Sequence, residues 1–540
     1  MTRLPQPMPL APTLAAACRR WPDRTAITYH GRHLTYEELR RQIQLLAAAY
    51  RELGIAPGNR VICQMPDCPQ FVVALGAAWA CGAIHVGADK DLTGSELAGL
   101  AERTDAAAVV FQPPAGSPDP LAPVRALAET RTRTTVIVDQ ARPEDGQLAL
   151  SQLLAGRSEP QEPLGDPPFR PHDPALLFMT SGTTGEPKAV METLPALWAK
   201  MDYFAQAYGP GPLDVHLMYL PMSHAFGLKL TLTALASGGR LVMLDRFSPS
   251  EALRLVSEEQ VTILPGTPTH FELVCDQLDP SRHRVDSLRW GVAAAAPLTP
   301  RLLQQIYDRL RVDLFYVYGC SEGFLVTTTD RGELERGSVG RDVFKGPQGT
   351  PPDGRVCVQH PDRRVPLRSG EVGEIVFGAS QPVRYWQAAS AAGDGWYRTG
   401  DLGRVDPDGC LFVVGRLKDL VNRGGLKVAP GEIEATLVRH PGVIDGAIIG
   451  TPDPVLGEAI CACIVPASED APHLAALRSF LATSLARHKL PDELCVVDAI
   501  PRSKIGKVDR RALRALVVDG DRPRERLRPV SIVPNRVTAV

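Results

Sequence analysis

Segments with helical apolar spacing alternate with short apolar strands along most of this chain. Residues 36–54 repeat apolar side chains at helical spacing and end on glycine, and residues 59–65 follow as a short strand. Residues 241–245 and 261–266 continue the same rhythm. Strands that are joined through helices pair in parallel, with helices covering the sheet. The pattern therefore favours α/β layers with largely parallel strands.

The character of the sequence changes near residue 340. Residues 354–360, 373–378 and 409–415 are short strands separated by turn residues, which predicts a smaller β-rich unit. The segment that begins near residue 419 mixes helices and strands in a compact unit. A length of 540 residues favours three or more folding units. The Arg-rich residues 519–540 lack periodicity and predict a loosely ordered extension.

The composition argues against two functional classes. Hydrophobic residues make up 44% and charged residues 22% of the chain, as in soluble globular proteins, and a net charge of −2 gives no basic surface for nucleic acid. The 11 cysteines are dispersed without paired zinc spacing, which indicates reduced thiols in a cytoplasmic protein. Residues 71–88 lack acidic and basic side chains, as a membrane span would. Their Ala and Gly content favours a buried helix running into a buried strand, so we expect no membrane span.

A glycine- and hydroxyl-rich loop, SGTTGEPK at residues 181–188, follows the apolar strand of residues 175–180. Backbone N–H groups and hydroxyls at the end of a strand suit an anion such as phosphate. A Walker loop requires G-x-x-x-x-G-K-[ST], whereas Gly182 and Gly185 are separated by two residues and Pro187 precedes Lys188. Taken alone, the loop fits either a phosphate site of another type or an ordinary Ser/Thr/Gly turn.

Seven further motifs accompany this loop along the chain. They are LTYEEL (34–39), LPMSHAFG (220–227), YGCSEG (318–323), GEVGEIVFG (370–378), WYRTGDLG (396–403), GRLKDLVNRGGLKVAPGEIE (415–434) and PRSKIGKVDR (501–510). In this order, with the loop in second place, the series resembles the adenylate-forming superfamily of acyl-CoA synthetases, peptide-synthetase adenylation domains and luciferases. The resemblance covers residues 10–515.

The resemblance implies the domain organisation. A large N-terminal domain of layered α/β subdomains, with a small β-rich subdomain, would precede a small mobile α+β C-terminal domain. The expected boundaries are 1–415 for the N-terminal adenylation core, 416–418 for a hinge, 419–518 for the C-terminal catalytic domain and 519–540 for the tail.

The resemblance also implies a reaction in which a carboxylate attacks the α-phosphate of ATP, releasing pyrophosphate and leaving an acyl-adenylate. Two anions meet in this step, so the site needs positive charge and oriented hydrogen-bond donors. Thr183 and Thr184 would contact the outer phosphates, with Lys188 as a mobile cation, while Tyr318 would pack on adenine and Asp401 would accept from the ribose hydroxyls. The complete set of expected ATP-binding residues is Thr180, Ser181, Gly182, Thr183, Thr184, Gly185, Lys188, Ala294, Ala295, Ala296, Tyr318, Gly319, Ser321, Asp401, Arg416 and Lys507.

Four residues are the candidate catalytic residues by their motif positions. Lys507 would bridge the attacking carboxylate and the α-phosphate, and Glu322 would bind Mg²⁺, a cation that prefers oxygen ligands. Ser321 would contact the α-phosphate, where the family more often has threonine. His224 matches a gate position of acyl- and aryl-CoA ligases, although a core histidine satisfied by a backbone carbonyl is the alternative.

Two further assignments concern the second half of the reaction. Lys418 matches the position at which family members rotate the C-terminal domain after adenylation. Gly424 and Gly425 would then line a passage for the pantetheine of CoA.

The acid pocket is assigned to Gly266, Thr267, Gly323, His224 and Ala225. Ala225 stands where amino-acid-activating relatives have aspartate and dihydroxybenzoate-activating relatives often have asparagine. Alanine has no polar side-chain atom, so we expect an apolar acyl or aryl acid. Ala294 and Ala295 replace glycines that are commoner in the family, which keeps the small size and alters the shape of the pocket.

Three functions fit the motifs. The leading one is an AMP-forming acid–CoA ligase that uses ATP, Mg²⁺ and CoA. The second forms the same adenylate and delivers the acyl group to a separate carrier-protein thiol or directly to an amine. The third, a nucleotide-binding regulator without catalysis, is disfavoured because Lys507, Glu322 and Asp401 are all retained. Expected partners are therefore a small carboxylic acid, ATP and CoA or a carrier protein, without nucleic acid or membrane; a homodimer is left open.

Overall fold

A computed structural model of the chain describes residues 9–113, 117, 119–129, 134–139, 142–155, 164–180, 188–322, 325–341, 356–378, 384–387, 396–468, 470–502 and 508–526. The α-helices are α1 (Leu14–Arg20), α2 (Tyr36–Glu52), α3 (Pro69–Ala80), α4 (Gly94–Thr104), α5 (Ala122–Arg125), α6 (Leu150–Leu154), α7 (Leu194–Tyr208), α8 (Ala225–Ala236), α9 (Pro249–Glu258), α10 (Pro268–Gln277), α11 (Pro300–Gln305), α12 (Arg331–Glu335), α13 (Pro430–Leu437), α14 (Leu474–Leu481) and α15 (Arg510–Arg514). Shorter 3₁₀ or π turns cover Ala126–Glu129, Ile306–Leu310, Leu417–Asp419, Arg487–Lys489 and Ala515–Asp519.

The strands form three sheets. They are β1 (Thr25–Tyr29), β2 (Arg32–Thr35), β3 (Arg60–Gln64), β4 (Ile84–Ala88), β5 (Ala106–Phe111), β6 (Thr135–Val138), β7 (Gln147–Ala149), β8 (Pro174–Thr180), β9 (Lys188–Thr193), β10 (Val215–Met218), β11 (Arg240–Met243), β12 (Ile263–Gly266), β13 (Trp290–Ala294), β14 (Asp313–Gly319), β15 (Leu325–Thr328), β16 (Gly340–Arg341), β17 (Val356–Gln359), β18 (Gly373–Gly378), β19 (Trp396–Val405), β20 (Cys410–Arg416), β21 (Val421–Arg423), β22 (Leu426–Val428), β23 (Val443–Asp453), β24 (Gly457–Pro466), β25 (Glu493–Val496) and β26 (Glu525–Arg526).

The predicted start of the fold agrees with the structure. Helix α2 begins after a capping box, in which the Thr35 hydroxyl accepts from the Glu38 N–H and the Glu38 carboxylate accepts from the Thr35 N–H at 2.8 Å. The chain leaves this helix through Gly54, whose φ of +80° favours glycine. The expected α/β architecture is thereby realised from its first long helix onward.

The charge-free segment 71–88 forms most of α3, then β4, as predicted. All side chains from Phe71 to Trp79 are buried, and β4 is buried along its whole length. Strand β4 lies inside a sheet with the order β7-β6-β5-β3-β4-β8-β9, parallel except for the β8–β9 pair. No described helix is both long and apolar enough to cross a membrane.

The second sheet carries a parallel centre and an antiparallel end. Its order is β17-β18-β19-β20-β16-β15-β14-β13-β12-β10-β11-β1-β2, and the strands from β14 through β11 to β1 run in parallel. The β-rich unit expected after residue 340 supplies strands β17–β20. These strands continue the large sheet through β16, which pairs with β20, instead of forming a sheet of their own.

The third sheet, ordered β22-β21-β24-β25-β26 with β23 on β24, is formed by residues 421–526. Its last strand corrects the expectation of a loosely ordered tail from residue 519. Strand β26 pairs with β25, and the Arg526 guanidinium contacts the buried Glu493 carboxylate at 2.6 Å. A charge-assisted pair to a buried carboxylate fixes this segment, a contact that local composition does not reveal. Residues 527–540 of the expected tail lie outside the described residues.

Gly340 joins the antiparallel end of the large sheet to its parallel centre. Its φ is +120°, and a Cβ there would lie 2.1 Å from the carbonyl oxygen of Thr327. Nearby Gly337 has a φ of +81° but open space around the same position. A side chain at residue 337 would therefore meet backbone strain alone, whereas one at residue 340 would meet strain and a direct clash.

We expect Gly340→Ala to lower the free energy of unfolding by at least ~3 kcal/mol, because a clash with backbone is added to strain. The control Gly337→Ala should cost only ~1–2 kcal/mol, from left-handed strain alone. Denaturant unfolding followed by tryptophan fluorescence measures both. Equal losses in the two variants would contradict the close approach at Gly340.

Candidate active site

Four of the predicted site segments begin where neighbouring parallel strands end. Strands β10, β12, β13 and β14 are adjacent, and their register aligns Gly266 with Ala293 and Ala294 with Val317. The segments that follow these strands therefore emerge at one edge of the sheet. Ligands of open α/β sheets bind at the carboxyl ends of the strands, so this edge is the candidate site.

Tyr318, Asp401 and Arg416 come together at this edge from distant parts of the chain. The Tyr318 hydroxyl donates to Asp401 Oδ2 at 2.8 Å, and Arg416 Nε lies 2.9 Å from Asp401 Oδ1. The Thr399 hydroxyl accepts from the Asp401 N–H at 3.0 Å, which fixes the backbone at Asp401. Burial, reinforced by the Asp401 charge, raises the pKa of Tyr318, so its phenol stays neutral and able to donate.

Lys188 and Glu322 are brought near each other by Tyr385, a residue that the motifs did not identify. The Lys188 ammonium lies 5.3 Å from the centre of the Tyr385 ring, within cation–π range. The Tyr385 hydroxyl donates to Glu322 Oε1 at 3.2 Å and lies 3.3 Å from the Tyr397 hydroxyl. Burial raises the pKa of Tyr385 to about 12, so this phenol also remains a donor.

The phosphate loop itself, residues 181–187, lies outside the described residues, and so does Gly323. Its two ends are in place as an antiparallel pair, with Thr180 opposite Lys188. The Thr180 hydroxyl donates to the Lys188 carbonyl at 3.3 Å. The loop therefore leaves and rejoins the core at neighbouring positions, with Lys188 at its base.

His224 is the N-cap residue of α8, although its side chain makes no capping hydrogen bond, and Ala225 is the first residue of that helix. The His224 side chain is exposed, while the surrounding protein lowers its pKa by desolvation, an effect that the Asp89 charge opposes. A neutral imidazole at a helix start is available to a ligand, and its exposure does not fit a satisfied core histidine.

The segment before α8 is fixed by close contacts. A Cβ on Gly227 would lie 2.4 Å from the Pro221 carbonyl oxygen, so only glycine fits this turn. The Met222 N–H donates to Asp67 Oδ1 at 2.7 Å. Asp67 is buried, and desolvation raises its pKa to about 7. Asp67 orients the segment that presents His224, a role which the sequence alone did not indicate.

Gly266 ends β12, and Thr267 connects that strand to α10 beside an aromatic group. The Thr267 N–H donates to His270 Nδ1 at 3.1 Å, and the His270 ring centre lies 4.4 Å from that of Phe247. Tyr219, which follows β10, donates its hydroxyl to the carbonyl of Pro265. Burial lowers the pKa of His270 to about 4, so the wall formed here is neutral.

Ala294, Ala295 and Ala296 follow the same edge, at the end of β13. Ala295 adopts a φ of +76°, a conformation that costs an L-residue ~1–2 kcal/mol. The Ala296 carbonyl accepts from the Tyr316 hydroxyl at 2.8 Å, which fixes the chain after the strained residue. A glycine at residue 295 would adopt the same backbone without strain.

The remaining candidates belong to the C-terminal part of the chain, and one of them lies outside the described residues. Lys418 is exposed in the turn Leu417–Asp419. Gly424 and Gly425, at φ +58° and +86°, form the two-residue turn between β21 and β22, which by itself requires glycine. Lys507 lies outside the described residues, in a loop whose ends, Arg502 and Val508, bridge each other.

The donor set fits a magnesium ion only if phosphate shares it. Glu322 offers one carboxylate with Oε1 already accepting from Tyr385. The part of the chain that the structure describes contains no group of three His, Cys, Asp or Glu residues suited to a metal. Mg²⁺ commonly binds through one or two carboxylates together with substrate phosphates and water. Glu322 therefore fits a metal that arrives with a nucleotide.

We expect Ala295→Gly to raise the free energy of unfolding by up to ~1 kcal/mol, because relief of left-handed strain exceeds the added chain entropy. The matched variant Ala294→Gly, within β13, should lower it by ~1 kcal/mol. Denaturant melts of both variants provide the measurement. A loss of stability in Ala295→Gly would contradict the positive φ.

Comparison with known proteins agrees with this geometry. The AMP-binding enzyme family matches residues 14–385, and the AMP-binding enzyme C-terminal domain matches residues 432–507. A 2-hydroxy-7-methoxy-5-methyl-1-naphthoate–CoA ligase of Streptomyces carzinostaticus is 34% identical, over 93% of this chain and 92% of that protein. A salicyl-AMP ligase / salicyl-S-ArCP synthetase of Mycobacterium tuberculosis is 32% identical, over 93% and 89%.

Among solved structures, ATP-bound MatB from Rhodopseudomonas palustris is similar with a TM-score of 0.80 at 25% identity, covering 94% of this chain and 98% of that one. The two family matches together extend across both the large core and the C-terminal unit. The strand-end site, the family matches and the near full-length relatives lead to one conclusion: the chain belongs to the AMP-binding, adenylate-forming enzymes.

Proposed function

We propose that the protein is an AMP-forming acid–CoA ligase. It activates a carboxylic acid with ATP and then transfers the acyl group to the thiol of CoA. The observation that supports this most is the position of two polar groups at the end of β14. Tyr318 of β14 belongs to the Tyr318–Asp401–Arg416 group, and Glu322, four residues later, accepts from Tyr385 beside Lys188. The first group suits a ribose and base, and the second suits phosphates.

In the first half-reaction a carboxylate oxygen of the acid attacks the α-phosphorus of ATP, and the bond to the β-phosphate oxygen breaks as pyrophosphate leaves. Asp401 accepts from the ribose hydroxyls, and Arg416, which pairs with Asp401 Oδ1, orients that carboxylate. Lys188 neutralises charge on the departing phosphates, and Lys507 stabilises the charge that develops between the two anions. Mg²⁺ bound with ATP at Glu322 would supply further neutralisation of the phosphate oxygens.

In the second half-reaction the CoA sulfur attacks the acyl carbonyl, AMP leaves and the thiol proton passes to solvent. We assign Lys418 as the hinge for a rotation that replaces the Lys507 loop with the β21–β22 hairpin. The exposure of Lys418 and of the turn at Gly424 and Gly425 supports this assignment. Residues 416–418 would then separate a core of residues 1–415 from a mobile unit of residues 419–518.

The acceptor is proposed from the relatives. One acts as a CoA ligase by name, and the other is named as forming a thioester on an aryl carrier protein. Both acceptors present a phosphopantetheine thiol, so the same site chemistry serves either. Transfer to CoA is the leading proposal, and transfer to a separate carrier protein or to an amine is the alternative.

We expect the wild-type protein to release pyrophosphate from ATP in the presence of an aryl or acyl acid. When CoA is added, the free thiol of CoA should be consumed as the acyl thioester forms. A panel of benzoate, hydroxybenzoates, octanoate and amino acids, each assayed with and without CoA, tests this. Acid-dependent pyrophosphate release without formation of a CoA thioester would indicate that the acceptor is a carrier protein or an amine. No acid-dependent release with any panel member would contradict the activity.

Lys507→Ala should reduce acid-dependent pyrophosphate release at least ~100-fold, since a positioned charge at the reacting atoms is removed. The matched control Lys504→Ala removes an ammonium from the same loop and should retain activity within a few-fold. Circular dichroism of both variants checks the fold. Near wild-type rates in Lys507→Ala would exclude this lysine from the chemical step.

A further inference from the structure

The guanidinium of Arg510 contacts three elements of the C-terminal unit, and no step described above uses it. Arg510 is the first residue of α15. Its Nη2 donates to Glu434 Oε1 of α13 at 2.5 Å, and its Nε donates to the Ile448 carbonyl of β23 at 3.3 Å. Its Nη1 donates to Asp419 Oδ2 at 3.4 Å. One side chain thereby connects a helix, a strand and the turn that follows β20.

Asp419 directly follows Lys418, the proposed hinge. It ends the turn Leu417–Asp419, which joins β20 to β21. The Asp419 and Arg510 side chains are 20% and 25% exposed, so solvent screens this pair less than a pair on the open surface. In the ranges that the structure describes, Arg510 is the one cation paired with Asp419. The chain is thus held to α15 immediately after the hinge.

Arg510 also lies next to the base of the loop that carries Lys507. The Asp509 N–H donates to the Pro501 carbonyl at 2.8 Å, which holds the two ends of that loop together. The Asp509 carboxylate caps α15 by accepting from the Ala512 N–H at 3.0 Å. The end of the loop and the start of the helix are therefore one hydrogen-bonded segment, and Arg510 is part of it.

We propose that Arg510 is a positioning residue, which couples the hinge to the Lys507 loop by holding Asp419 against α15. The turn after the hinge and the base of the loop then rotate together, and the change in backbone angles is confined to residues 416–418. This inference rests on the proposed function and adds to it the contact through which the hinge sets the position of the catalytic lysine.

The other two contacts of Arg510 do not involve the hinge. Glu434 and Ile448 belong to the interior of the C-terminal unit, and the Ile448 N–H donates to the same Glu434 oxygen at 2.8 Å. These contacts would stabilise that unit in any orientation, whereas the contact with Asp419 reaches the segment that joins the unit to the core. Arginine suits the arrangement, because its planar guanidinium presents five N–H donors in fixed directions.

The test removes the hinge contact alone. Asp419→Asn keeps the size of the side chain, removes its charge and leaves Arg510 bonded to Glu434 and Ile448. ATP–pyrophosphate exchange is measured with the acid of the panel that gives the fastest pyrophosphate release. We expect kcat to fall about 10-fold, because Lys507 is held less precisely at the reacting atoms. The KM for ATP should change less than about 2-fold, since the core binds ATP and Lys507 acts in the chemical step.

Two variants control for charge and for position. Asp419→Glu restores a carboxylate and should keep kcat within about 3-fold of the wild type, because its longer side chain can still reach Arg510. Glu458→Gln is the matched control on the same helix, since Glu458 Oε1 lies 3.4 Å from Arg514 Nη1 and its side chain is 29% exposed. That pair does not reach the hinge, so kcat should stay within about 2-fold. Thermal unfolding checks the fold of every variant.

Hydrogen–deuterium exchange tests the coupling without any substrate. In Asp419→Asn the amides of residues 417–420 and those of residues 508–513 should both exchange faster than in the wild type, because the two segments are held by the same contact. Glu458→Gln should leave exchange in residues 417–420 unchanged. Faster exchange in only one of the two segments of Asp419→Asn would contradict the coupling.

The kinetic outcomes separate this inference from the proposed function. A loss of kcat in Asp419→Asn that is absent from Asp419→Glu and Glu458→Gln supports the role of Arg510. An unchanged kcat in Asp419→Asn, an equal loss in Glu458→Gln, or a loss that appears in the KM for ATP overturns it and leaves the ligase function intact. If the wild type shows no exchange with any acid of the panel, the proposed function itself fails and the inference falls with it.

Discussion

The parallel register of β10, β12, β13 and β14 is the constraint on which the site depends. Parallel hydrogen bonding aligns the carboxyl ends of these strands, so four segments that are far apart in sequence emerge along one edge. None of these segments could form a site alone, since each supplies only one or two polar groups. The antiparallel extension through β19 and β20 then places Asp401 and Arg416 against Tyr318.

The charged groups at this edge are arranged in linked pairs. Phenols with raised pKa values connect them: Tyr318 donates to Asp401, and Tyr385 donates to Glu322 below the Lys188 ammonium. Tyr385 contacts both the Lys188 ammonium and the Glu322 carboxylate, whereas Arg416 pairs directly with Asp401. Such an arrangement suits a nucleotide, whose ribose needs acceptors while its phosphates need donors and cations.

Local pattern predicted the layers but not the contacts between distant residues. Periodicity predicted the alternation of helix and strand and the buried segment 71–88. Motifs predicted the site residues Tyr318 and Asp401. Tyr385 could not be predicted, because it belongs to no motif and reaches Lys188 and Glu322 only in the folded chain. Glu192 of β9, Lys200 of α7 and Lys229 of α8 resemble ordinary surface charges in sequence but are 3%, 9% and 3% exposed, because α7 packs against both β9 and α8. The strain at Ala295 depends on a backbone angle that composition does not encode.

The last described strand, β26, has a consequence for where the C-terminal unit ends. Arg524 and Arg526 both contact Glu493, a carboxylate that is 2% exposed and also accepts from the Thr451 hydroxyl. A chain cut after the family match ends at residue 507 would leave that carboxylate buried among few donors, at a cost of several kcal/mol. Any shortened or fused version of this protein thus needs the residues up to Arg526, because Arg524 and Arg526 pair with the buried Glu493 carboxylate of the C-terminal unit.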